Sequence, residues 1–198
     1  MAKQALKPPD WRRSRTGFKP GPKPDPMEWP LPEDYLDMVT SIAGGEGFVG
    51  PEYVRFYHFH ELLPLNEAYD VARYAPGFLI IGSNAGGEAY AFDFRSNPPS
   101  VVRIPFIPMT PSLAEPVAGT ITEFLSRLLA SGESPDADWS MCIDSDGVCL
   151  EIHEIKPIAF GGDPEEMSNK TLLRPPEHAK VCRFWNKLRV KLATETQP

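Results

Sequence analysis

The sequence predicts an α+β fold in which helices and antiparallel hairpins are mixed, with a C-terminal hairpin and helix. Three observations predict it. Leu31, Tyr35, Leu36, Val39 and Ile42, and later Val117, Ile121, Phe124, Leu125, Leu128 and Leu129, recur at helical spacing. Between them lie short apolar or alternating runs punctuated by glycine-rich turns. Strands and helices do not alternate regularly as βαβ units do, which separates this class from the parallel α/β folds.

Taken in order, Pro32, Glu33 and Asp34 stand where a helix N-terminus favours proline and acids, and Gly44 and Gly45 end that helix. Short strands are expected around Phe48 and over Tyr53 to Phe59, then a helical stretch from Glu61 to Arg73 closed by Pro76. Gly77 to Phe94 reads as a hairpin: FLII, the reversal Ser83-Asn84-Ala85-Gly86-Gly87, then EAYAFDF with Tyr90, Phe92 and Phe94 alternating. A strand over Val101 to Ile104 and a helix over 117–129 follow. A second hairpin is expected from Trp139 to Ile143 and Val148 to His153, turning at Asp144-Ser145-Asp146-Gly147. The last helix spans about Pro176 to Leu192, with Val181, Trp185, Leu188 and Leu192 as its expected buried stripe.

At 198 residues the chain suits one well-buried core. The organisation expected is a proline-rich basic arm over 1–30, extended or flexible, and one domain over 31–198 with a C-terminal extension from about 135. No apolar run approaches the roughly 20 residues of a membrane span. Three cysteines do not make a disulfide scaffold, so a reducing cytoplasm is the expected setting. Residues 1–24 hold seven basic side chains against Asp10, a surplus of +6, so the remainder carries -13 to reach the net -7. An acidic body repels phosphate backbones and attracts basic partners, which argues against nucleic acid as the ligand of the folded part.

Four segments taken together, LPEDYLDMVTSIAGGEG at 31–47, HELLPLNEAYD at 60–70, PGFLIIGSNAGGEAYAFD at 76–93 and VAGTITEFLSRLL at 117–129, resemble the SUKH superfamily in order and spacing. The resemblance implies a SUKH-like α+β fold, a mixed, mainly antiparallel sheet with helices packed around it, and function by binding, without a shared catalytic apparatus. Many bacterial members are immunity proteins that neutralise toxins, often nucleases; others regulate or act as scaffolds. It places Leu31, Pro32 and Tyr35 at the seat of the first helix and Asn66 in the helical segment after the early strands. Gly86, Gly87 and Glu88 fall in the central hairpin and Asp93 at its end. The family-typical roles are structural. As polar groups of this hairpin, Asn84, Glu88 and Asp93 are the candidate partner-binding residues, the alternative being a turn with exposed polar tips. The acidic body makes a basic toxin the expected partner. A regulatory scaffold, with the arm recruiting a partner, is a further alternative.

Residues 150–185 carry a second pattern, LEIHEIKPIAFGGDPEEMSNKTLLRPPEHAKVCRFW, which resembles the ββα-metal motif of HNH nucleases. The resemblance makes His153, His178 and Cys182 alternative ligands of zinc or another divalent metal, Asn169 the structural asparagine, and Glu154 the alternative catalytic base. His178 and Cys182 stand at i and i+4, as two ligands on one helix must to share a metal. Glu154 departs from the histidine expected there and is a weaker base unless burial raises its pKa. The plainer reading needs no cofactor and no catalytic residue: a hairpin, a Gly-Gly-Asp-Pro turn and a packing helix. Asp144, Asp146 and Gly147 form too small a part of a calcium loop to read as more than a turn. Cys142 and Cys149 are expected to face each other across that turn as free thiols.

Overall fold

A computed structural model describes residues 29–42, 44–135 and 143–195. The expected arm over 1–30 lies almost wholly outside these residues, as do Cys142 and most of the strand expected over 139–143. The main sheet is a six-stranded meander in sequence order, each strand antiparallel to the next: β1 (Gly45–Val49), β2 (Glu52–Phe56), β3 (Phe78–Ser83), β4 (Glu88–Asp93), β5 (Ser100–Pro105) and β6 (Glu115–Ala118). Every residue of β3 and the four central residues of β4 are buried, as in a sheet covered on both faces.

Helix α1 (Glu33–Ile42) and helix α4 (Ile121–Ala130) meet the same face. Tyr35 packs edge-on to Phe92 and Phe124 against Tyr90, and strand alternation puts Tyr90 and Phe92 on one side. The Asp34 carboxylate accepts from the Thr122 amide and ties the two helices together. Thr120, not Val117, starts α4: its hydroxyl accepts from the Glu123 amide, while Val117 and Ala118 belong to β6.

The helix expected over 61–73 is two, α2 (Phe59–Ala68) and α3 (Val71–Tyr74), because Asp70 adopts a left-handed conformation at φ 59° between them. The strand expected to reach Phe59 stops at Phe56, and Phe59 instead begins α2. Asn66 fastens α2 to β3 by exchanging both amide hydrogen bonds with the Ile80 backbone, at 2.7 and 2.8 Å.

The C-terminal unit differs most from expectation. Strand β7 (Glu151–Glu154) pairs antiparallel with β8 (Lys170–Leu173), and helix α5 (Pro175–Glu195) follows. Among the described residues, the expected 139–153 hairpin survives as a single Ile143–Cys149 bridge around the Asp144 turn. The buried stripe of α5 is His178, Ala179, Cys182 and Asn186, rather than the set centred on Trp185; Leu192 is exposed. Asn186 carries its polarity inside by accepting from the Met109 amide and donating to the Phe106 carbonyl. Among the described residues, no helix is long and apolar enough to cross a membrane.

Candidate functional site

Two sites of different character emerge. The first lies at the end of the β3–β4 hairpin. Asn84 organises the turn: its Oδ1 accepts from the amides of Gly86 and Glu88, and its Nδ2 donates to the Glu88 carboxylate. Register then places Glu88 beside a carboxylate ladder. Arg103, on β5, reaches Glu88 at 3.5 Å, Glu52 at 3.6 Å and Glu115 at 3.1 Å. Tyr90 donates to Glu52 at 2.6 Å. Three carboxylates around one guanidinium leave this patch negative, and Glu115 projects furthest with 71% of its side chain exposed. Partial burial pushes the Glu88 carboxyl up, against the pull of Arg103.

Asp93 stands at the other end of β4, five residues or about 17 Å from Glu88. Its two oxygens take a fork of bonds from Arg95, at 2.7 and 2.8 Å, and that bonding holds its carboxyl below the usual carboxylate range. Arg95 in turn lies over the Phe78 ring. The hairpin therefore joins Asn84 and Glu88 in one patch and leaves Asp93 outside it.

The second site is internal, where the C-terminal unit docks on the sheet. The Ile152 amide donates to the carbonyl of Ala85, a buried turn residue at φ 55°. Beside this contact the Glu151 carboxylate, fully buried, accepts from Ser83 at 2.8 Å and from Arg55 at 3.4 Å. Arg55 also donates to the Cys149 carbonyl at 3.1 Å. Gly82 lets β2 pass close, since a Cβ there would stand 2.1 Å from the Arg55 carbonyl.

Two residues beyond Glu151 on the same face of β7, His153 meets His178 and Cys182 of α5. The potential ligand atoms of these three lie within 4.8 Å of one another, and all three residues are buried. His178 Nδ1 is hydrogen-bonded to the Tyr69 hydroxyl at 2.8 Å, while its Nε2 faces the Cys182 sulfur at 3.4 Å. Burial, reinforced by His153 and Arg55, pushes the His178 imidazole down to about 3. Burial also lowers His153, so both rings are neutral near pH 7.

Glu154 points away from this trio, and its carboxylate accepts from the Ile158 amide at 3.0 Å. Asn169 braces the intervening loop: it accepts from the Lys156 amide and donates to the carbonyls of Lys156 and Asp163. Asp144 is held by the amides of Asp146 and Val148 and by Arg174 at 2.6 Å. Sequence reasoning brought His153, His178 and Cys182 together but missed Arg55, Ser83, Tyr69 and Glu151. The one available signal was an arginine set between Val54 and Phe56 in a mainly apolar run, since Glu151 stands in a strand that is largely polar.

No curated protein matches this chain. The model of the SMI1 / KNR4 family (SUKH-1) matches residues 27–127, from just before α1 through most of α4 and so across the whole six-stranded meander. That match stops short of residues 150–185, the HNH resemblance there is not shown, and the trio stands on its own geometry. With just over half of the 198 residues matched, and the matched half folded as an antiparallel α+β unit, the chain belongs to the SMI1 / KNR4 family (SUKH-1).

Proposed function

We propose that this chain is a non-enzymatic binding module of the immunity type, which sequesters and neutralises a basic protein toxin. The observation that carries the proposal is the carboxylate ladder of Glu52, Glu88 and Glu115 around Arg103. It offers a negative patch on a rigid sheet, and the body of the chain beyond residue 24 is strongly acidic as well. Charge complementarity of this kind raises association rate and selects partners. Glu88 carries the recognition role, Asn84 orients it, and Asp93 lies too far away to share the patch. A nuclease reading draws less support. Glu154 is engaged by the loop after β7, and the trio is sealed from any substrate the size of a nucleic acid.

The test is a growth assay in which each product encoded beside this gene is expressed with and without the chain. The expected result is relief of growth arrest for one such product, with relief and complex formation lost in the Glu88→Lys, Glu115→Lys double variant. Equal protection by the double variant, or no toxic neighbour relieved, would defeat the proposal.

A further inference from the structure

The contact between β7 and α5 is chemically unusual for a core. His153, His178 and Cys182 are 5%, 1% and 0% exposed, and they converge where aliphatic packing would ordinarily serve. Their two histidine rings meet edge to face, with centroids 5.2 Å apart. His178 and Cys182 are one turn apart on α5, and their Nε2 and Sγ atoms are already 3.4 Å apart. The third member is frustrated: His153 Nε2 is buried and has no hydrogen-bond partner among the described residues. A buried nitrogen without a partner is costly to keep, and a metal bound at that lone pair would satisfy it.

We propose that His153, His178 and Cys182 form a structural zinc site that clamps α5 onto β7. Two imidazole nitrogens and one thiolate are a donor set suited to zinc and ill suited to magnesium or calcium, which take oxygen. Zinc bonds of about 2.0–2.3 Å place neighbouring tetrahedral ligand atoms roughly 3.3–3.7 Å apart. The His178–Cys182 pair meets that spacing, and His153 completes it with a shift of about 1 Å from the present limit of 4.8 Å.

The surroundings fit the same assignment. Tyr69 bonds His178 Nδ1 at 2.8 Å; with the proton on Nδ1 this contact orients the ring and leaves the Nε2 lone pair for the metal. Binding forms two Zn–N bonds and one Zn–S bond and releases the Cys182 thiol proton to solvent. One tetrahedral position remains for a non-protein ligand. The centre is enclosed by β7, α5 and Tyr69, so its role is to hold elements together rather than to turn over a substrate. It stands independently of any toxin.

The experiment uses the full chain, unfolded with chelator, refolded metal-free, and titrated with zinc or cobalt. Cobalt should bind at one per chain and give the visible bands of a tetrahedral centre with a near-ultraviolet sulfur-to-cobalt band. Zinc at a hundredfold excess over its Kd should raise Tm by roughly 5–10 °C. Cys182→Ser, nearly isosteric, should fold with native circular dichroism and lose the sulfur band; His153→Gln should weaken cobalt binding at least tenfold. Folded wild type that gives no sulfur band, or a band that survives in Cys182→Ser, overturns the site. Metal-dependent cutting of plasmid DNA by the loaded protein overturns its structural role.

Discussion

Ser83 and Glu151, 68 residues apart in sequence, are joined by a 2.8 Å hydrogen bond to a carboxylate that solvent does not reach. The bond crosses from the family-matched sheet to the C-terminal unit, and Arg55 makes the same crossing to the same carboxylate. The seam is thus polar, directional and satisfied from both sides.

Glu151→Ala should therefore be among the most damaging single changes in the chain. It removes the acceptor of the Ser83 hydroxyl and leaves Arg55 with Glu46, at 3.7 Å, as its remaining carboxylate partner. Loss of one member of a buried pair costs about 3 kcal/mol or more. Urea unfolding should show that loss, with Glu151→Gln retaining part of the stability through the amide. A midpoint unchanged in Glu151→Ala would show that the seam contributes nothing.

Asp93 gives a pH dependence of definite sign. Arg95 stabilises its ionised form, so its folded pKa lies below its unfolded value of about 3.9. The contribution is therefore complete above that unfolded value and is lost as pH falls through the lower folded one. Stability curves of wild type and Asp93→Asn should differ at pH 7 and begin to draw together only as pH falls below about 4. Curves that stay parallel to acid would remove Asp93 from the account.

Gly162→Ala tests the loop between β7 and β8. A Cβ there would stand 1.7 Å from the Lys156 carbonyl, a clash that only backbone movement relieves. That movement breaks the Asn169 bonds to Lys156, so hydrogen exchange should rise across 154–170 while β3 and β4 keep their protection. Protection unchanged in the loop would contradict the close approach.

The class of fold and the central hairpin were legible because apolar periodicity and glycine turns mark them directly. Helix α5 shows where that signal stops. A pattern that scores apolarity selects Val181, Trp185 and Leu188, yet the helix buries His178, Cys182 and Asn186. Those three are accommodated by particular partners, such as the Phe106 carbonyl for Asn186 and the Tyr69 hydroxyl for His178. Partners over 70 residues distant leave no periodic trace. The pairing of β7 with β8 was hidden for a similar reason: fifteen intervening residues, 155–169, separate the strands, and no tight turn joins them. By contrast the i, i+4 spacing of His178 and Cys182 is local, so that part of the internal site could be read.

The polar seam also limits how freely the two halves of the chain could be exchanged between proteins. An unrelated SUKH-1 sheet given this C-terminal tail would have to supply an arginine at 55, a serine at 83 and a tyrosine at 69, or bury Glu151 and His178 without partners. A sheet separated from its tail would keep Arg55 without the Glu151 counter-charge. The halves thus form a matched pair, and substitutions on one side of the seam constrain which substitutions the other can tolerate.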